Sequence, residues 1–129
     1  MIVISLLKGL DKLGIPYRYN DYRYIRKHRD EIACIIGMPQ ILFTKNWQNP
    51  VILGAGIFSH PLECPDLFTR YPTVKRILVP GKWMREMFEP YYHEKVIAWP
   101  AGIDTERWSP EIKKKPEIDF LIYDKLLWE

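Results

Sequence analysis

The stretch Val74-Lys-Arg-Ile-Leu-Val-Pro-Gly-Lys-Trp-Met-Arg-Glu-Met-Phe-Glu-Pro-Tyr-Tyr-His-Glu-Lys-Val-Ile-Ala-Trp99 decides the fold class. Val74 to Val79, with Val74 and the apolar Ile77-Leu78-Val79, reads as a strand, and Pro80-Gly81 breaks it. From Lys82 to Tyr92, Met84, Met87, Phe88 and Tyr91 recur at the spacing of one helix face. Lys95 to Trp99 reads as another buried strand. Strand, helix and strand in that order predict parallel pairing through a right-handed crossover.

Upstream the alternation continues. Pro65 to Tyr71 reads as a short helix, and Asn49-Pro-Val-Ile-Leu-Gly-Ala-Gly56 as a strand with a glycine turn. Pro39 to Trp47 fits either element. Glu31-Ile-Ala-Cys-Ile-Ile-Gly37 is a continuous apolar run ended by glycine, the pattern of a strand buried on both faces. Residues 21 to 29 form a helical turn on this reading, and Ile15 to Tyr19 a strand. Val3, Leu6, Leu7, Leu10 and Leu13 mark the buried face of a first helix that Gly14 stops. The sum is an α/β fold: an open, mostly parallel Rossmann-like sheet with helices on both faces.

The 129 residues, 47% of them apolar or aromatic, suffice for one domain with an ordinary core. No run approaches the ~18 to 20 apolar residues of a membrane span, and the N-terminus lacks the basic and small-residue features of a signal peptide. A cytoplasmic location is the expectation. Cys34 and Cys64 lack paired metal-site spacing and are expected to be reduced structural thiols.

The net charge of +3 excludes little. Basic residues gather at Arg23, Arg26, Lys27, His28 and Arg29, and at Lys113, Lys114 and Lys115. Such clusters hold phosphates or an anionic membrane surface, or are solvated faces. Peripheral membrane contact and homo-oligomer formation stay open, whereas no nucleic-acid-binding signature is present.

Ligands of open α/β sheets bind where strands end, which directs attention to a few residues. Gly54 and Gly56 let backbone amides approach a ligand, and Ser59 and His60 offer a hydrogen bond or a base. The alternative is a tight strand exit with a surface histidine. Lys82 and Trp83 open a helix whose free amides suit an anion, unless Trp83 packs against the sheet. Asp104, in Gly102-Ile-Asp-Thr-Glu106, is placed to cap a helical turn. His28 and His93 read as surface histidines. No metal-ligand cluster and no set of nucleophile, base and orienting group is visible.

Downstream, a strand ending at Trp99 meets Pro100-Ala-Gly-Ile-Asp104, then a charged Pro-bounded linker from Ser109 to Pro116 and a new apolar strand from Phe120. This predicts residues 1–108 as one domain, 109–118 as a linker and 119–129 as the start of a second domain. The run Arg76-Ile-Leu-Val-Pro-Gly-Lys-Trp-Met-Arg-Glu-Met-Phe88, the Lys95 to Pro110 turn and Asp119-Phe-Leu-Ile-Tyr-Asp-Lys125 together resemble retaining GT-B glycosyltransferases around their hinge. Gly81 stands where that family carries Ser or Cys. The resemblance covers residues 74 to 125 and rests on the order and spacing of short motifs.

The resemblance implies an acceptor-side domain that lacks its first strand, in a chain clipped at both ends. It implies sugar transfer from a nucleotide-sugar to a glycan or lipid acceptor, without a bound metal or cofactor. Donor-binding residues would lie beyond Glu129, so the isolated chain is expected to transfer no sugar. Members of that family often place a polar or histidine side chain of this domain in the cleft, which adds to the reading of His60 as the candidate catalytic side chain without assigning it. By the same resemblance Gly102 and Asp104 border the ligand, and Gly54, Gly56, Ser59 and Lys82 join the candidate cleft from their places at the strand ends. The rival expectation is a non-catalytic α/β module that binds a ligand or partner.

Overall fold

A computed structural model describes residues 2–100. The expected turn at Gly102 and Asp104, Trp108, the linker 109–118 and the strand in 119–129 lie outside the described residues. Within them run helix α1 (Ile2–Lys12), helix α2 (Tyr22–Lys27), strand β1 (Ala33–Ile35), helix α3 (Pro39–Thr44) and strand β2 (Val51–Leu53). A 3-10 turn (Pro61–Glu63), helix α4 (Leu67–Arg70), strand β3 (Val74–Val79) and helix α5 (Lys82–Tyr92) follow. A second 3-10 turn (His93–Lys95) leads into strand β4 (Val96–Ala98).

Local chemistry sets several of these boundaries. Gly14, at φ +64°, ends α1 in the left-handed conformation that glycine adopts without strain. The Asp21 carboxylate accepts the Tyr24 N–H at 3.0 Å and so caps α2. Pro39 sits in the first turn of α3, where its missing N–H costs nothing. Helix α5 tolerates Pro90 near its end and stops at His93, whose φ is +53°.

The strands form one parallel sheet in the order β1-β2-β3-β4. Ala33 stands opposite Val51, Leu53 opposite Ile77, and Val79 opposite Ala98. An irregularity between Val51 and Ile52 shifts the register against β3. Alternate strand residues Ala33, Ile35, Val51, Leu53, Ile77, Val79 and Val96 join one buried cluster with Leu42, Leu67, Met84 and Phe88 of the helices. Full burial of one such side chain contributes roughly 1.5–3 kcal/mol.

That arrangement corrects the expectation of helices on both faces. Among the described residues, the buried side chains of α3, α4 and α5 all meet the same sheet face. The other face presents Cys34, Ile52, Arg76, Leu78 and Ile97, none of them buried. Strands laid down in sequential order with right-handed crossovers return every helix to one side, and cover on both sides requires the order to reverse.

Other expectations shift too. Ile15 to Tyr19 is irregular backbone rather than a strand. A strand exists only by pairing; Pro16 has no N–H to pair, and Tyr17 and Tyr19 are exposed. Tyr17 instead donates to Asp11, while Arg18 lies 4.0 Å over the Tyr24 ring. Cys34 in β1 and Ile97 in β4 are exposed, so these strands are buried on one face and not on both. The core-facing tyrosine of α5 is Tyr92, not Tyr91. Leu13 is 74% exposed, and no residue from 3 to 12 is fully buried. No helix among the described residues is long and apolar enough to cross a membrane.

Candidate functional site

Because the four strands are parallel, their carboxyl ends share one edge of the sheet. The loops there begin at Gly37, at Gly54-Ala55-Gly56 and at Pro80-Gly81-Lys82. Gly54 is buried between strand ends, with its N–H donating to Ile35 O at 2.7 Å. A Cβ at that position would stand 2.6 Å from Ile36 Cγ1 and 3.3 Å from Ile35 O. Its glycine is therefore explained by packing of one strand exit on another. Gly56 differs: it is exposed, holds φ +84°, and has open space where a Cβ would point.

Ser59 and His60 belong to a cap. His60 Nδ1 accepts the Leu62 N–H at 3.2 Å, while the Glu63 carboxylate accepts the His60 N–H at 2.8 Å. The Ser59 N–H and hydroxyl donate to the same Glu63 oxygen at 2.8 and 2.5 Å. The Ser59 hydroxyl, followed by the two backbone amides, holds the Glu63 carboxyl below its usual value. With Nδ1 accepting, the neutral imidazole carries its proton on Nε2, which makes that nitrogen a donor. His60 acts as a base only if the cap opens.

The cap does not face Lys82. The turn that it starts lies against the C-terminal part of α5, where the buried Tyr92 hydroxyl donates to Pro61 O at 3.2 Å and Cys64 O at 2.8 Å. Lys82 is at the other end of this 11-residue helix, about 16 Å long. It is exposed and stands 3.7 Å from Glu86. The expected set thus falls into a packing glycine at Gly54, an open glycine at Gly56, a cap at Ser59 and His60, and an exposed lysine at Lys82. Only the strand-end residues share the edge.

Trp83 is the residue there that the sequence left between two roles. It is 66% exposed and does not pack against the sheet; its ring lies back toward Gly81, where a Cβ would meet Trp83 Cδ1 and Nε1 at 3.4 Å. Gly81 brings no side-chain cap, so the first amides of α5 keep their donors available beside that ring.

No protein-family model matches this chain, and neither a curated protein nor a solved structure does. Among the described residues no group of His, Cys, Asp and Glu could hold a metal ion. What the edge offers is an exposed flat ring, glycine backbone and uncapped amides, a combination suited to binding a polar ligand with an apolar face.

A separate concavity lies at the amino end of the sheet. A cavity of about 290 Å³ opens between α2 and the loop 45–49, with Arg26 and Arg29 on one side and Lys45 on the other. Its floor is Asn49, buried at 3% exposure. The Asn49 side-chain amide donates toward Ile25 O, His28 O and Glu31 O at 3.2, 2.8 and 3.1 Å. The basic cluster of α2 and the turn after it is thereby divided: Arg26 and Arg29 line the cavity, while His28 stacks on Tyr24 with ring centroids 3.8 Å apart. The basic cluster Arg23, Arg26, Lys27, His28 and Arg29 was the signal in the sequence. Lys45 and Trp47 had none.

Proposed function

We propose that this chain is the acceptor-side part of a GT-B-type glycosyltransferase, with a Rossmann-like domain holding a glycan or lipid acceptor at the carboxyl edge of its sheet. The observation that carries the reading is the unit β3-α5-β4. Its strand, helix and strand span Val74–Val79, Lys82–Tyr92 and Val96–Ala98, in the order that the resembling family sets before its interdomain turn. The sequential parallel order of β1 to β4 also fits one half of a doubly wound sheet, whose other half would lie beyond β1.

In such a reaction the bond between the donor's anomeric carbon and the nucleotide diphosphate breaks, that carbon bonds to the oxygen of an acceptor hydroxyl, and the hydroxyl proton leaves with the diphosphate. The residues of this chain contribute position. Trp83 offers a flat apolar surface for a sugar ring, and the backbone around Gly56 and the first turn of α5 offers hydrogen-bond donors. The donor belongs to a second domain on this reading, so the described residues bind without transferring.

An NMR titration of the chain with simple glycans and with UDP-, GDP- and ADP-sugars tests it. Glycans are expected to shift the Gly54 to Gly56 amides, Lys82 and the Trp83 indole, and Trp83→Ala to abolish the response. A folded spectrum indifferent to every sugar overturns the proposal. A non-catalytic α/β ligand- or partner-binding module is the second reading, favoured by the cap that occupies His60 Nδ1.

A further inference from the structure

We infer that the cavity between α2 and the loop 45–49 is a binding site for a phosphorylated small molecule. It lies at the opposite edge of the sheet from the proposed acceptor cleft and does not depend on that reading.

Charge is the first argument. Arg26, Arg29 and Lys45 converge on one cavity of about 290 Å³, and no carboxylate lines it. Among the described residues none of the three has an ion-pair partner, unlike Arg18 with Asp21, Lys82 with Glu86 and Arg85 with Glu89. Cations gathered around a concave surface repel one another and focus a positive potential into it. A dianionic phosphate reverses the sign of that interaction. Two guanidinium forks and an ammonium together match its several oxygens, and charge-assisted bonds of this kind are the strong ones.

Shape and rigidity supply the second argument. Arg26 lies in the last turn of α2 and Arg29 in the turn that follows its C-cap His28, and both line the cavity. The Asn49 amide ties the end of that helix to the start of β2 through the carbonyls of Ile25, His28 and Glu31. Trp47 forms part of the wall, its indole fixed by a bond from Nε1 to Ile41 O at 3.1 Å. Tyr22 adds a second aromatic edge. A fixed indole beside three cations suits an ester whose phosphate meets the cations and whose ring or carbon chain rests on the aromatic wall. The volume is at the low end of the roughly 300–1,000 Å³ of small-molecule pockets, which selects a sugar phosphate or a headgroup over a dinucleotide.

The test is a titration of the full chain with inorganic phosphate and with glucose 6-phosphate, followed by calorimetry and by the Trp47 indole resonance. Saturable shifts at Trp47 and in residues 26 to 29 are expected, with glucose 6-phosphate binding more tightly than phosphate. The double variant Arg26→Gln/Arg29→Gln should weaken binding roughly tenfold or more per guanidinium removed. Lys27→Gln, on the same helix but outside the cavity, should leave it unchanged. Both variants alter exposed side chains, and an amide spectrum matching that of the parent verifies their fold. Co-sedimentation with phosphatidylcholine vesicles containing a phosphoinositide separates the two sources of the phosphate. Retention that depends on Arg26 and Arg29 assigns a lipid headgroup; binding of the soluble ester alone assigns a free metabolite. Equal losses in Lys27→Gln and in the double variant, or no saturable response at Trp47, overturn the proposal.

Discussion

The Tyr92 hydroxyl stands 2.8 Å from the carbonyl oxygen of Cys64 and donates to it from within the core. The same hydroxyl reaches Pro61 O at 3.2 Å, so one side chain joins the last turn of α5 to the chain between β2 and β3. Tyr92→Phe leaves both carbonyls without this donor and should cost about 1–3 kcal/mol. Urea unfolding followed by far-ultraviolet circular dichroism measures it, and a loss below experimental error would remove the bond from the fold's support.

Burial, ahead of the nearby Cys64, Glu63 and Asp66, pushes the Tyr92 phenol far above its ordinary 10.0. A group whose value is raised in the folded state stabilises fully below its unfolded value and loses that contribution as pH rises through the folded one. Stability should therefore fall above about pH 10, and fall less steeply in Tyr92→Phe. Unfolding free energies at pH 8, 10 and 11 in both proteins give the comparison.

Glycines of two kinds should respond in opposite directions. Gly54→Ala drives a Cβ to 2.6 Å from Ile36 Cγ1, and overpacking of this type costs typically about 1–3 kcal/mol. Gly9 lies inside α1 with nothing within 4 Å of its missing Cβ, so Gly9→Ala should stabilise by roughly 0.5–1 kcal/mol. Thermal midpoints that moved the same way would show that packing at Gly54 is looser than its geometry implies.

The cap can be separated from chemistry at His60. His60→Ala removes the acceptor for the Leu62 N–H and should cost about 1 kcal/mol, whereas His60→Asn restores a capping acceptor and most of the stability. Glycan-induced shifts at Trp83 should survive both changes. If Asn fails to rescue stability while glycan binding is lost, the side chain serves the ligand and not the turn.

Glu63 supplies the other half of that cap and a dependence on acid. Its carboxyl is held below 4.5, first by the Ser59 hydroxyl, so its contribution is present above that value and fades as pH falls through the lower folded one. Melting profiles of the parent and Glu63→Gln between pH 3 and 6 should converge toward the acid end. Parallel profiles would contradict the role assigned to the charge.

The boundaries of β3 and α5 were legible because their signals are local: a short run rich in Val, Ile and Leu, a Pro-Gly break and an apolar helix face need no partner to be read. Ile15 to Tyr19 was misread for the complementary reason, since a strand-like composition forms no strand without a neighbour to pair. The glycine edge was located by the rule that parallel strands bind ligands at their carboxyl ends, yet His60, seven residues past β2, was drawn away into a turn against α5. Nothing in its flanking sequence carries the distance to Tyr92.

By itself the sequence determined the alternation of elements, hence an α/β class with parallel strands, and it marked a basic cluster between Arg23 and Arg29. Tertiary structure decided which sheet face is covered, that Gly54 serves packing, that His60 is tied into a cap, and that Arg26 and Arg29 meet Lys45 and Trp47 around one cavity. The division follows from range. Periodicity and turn chemistry act over a few residues and are written along the chain, whereas faces, caps and cavities arise when segments some 20 to 30 residues apart, such as Ile25 and Asn49 or Cys64 and Tyr92, are brought within a hydrogen bond of each other.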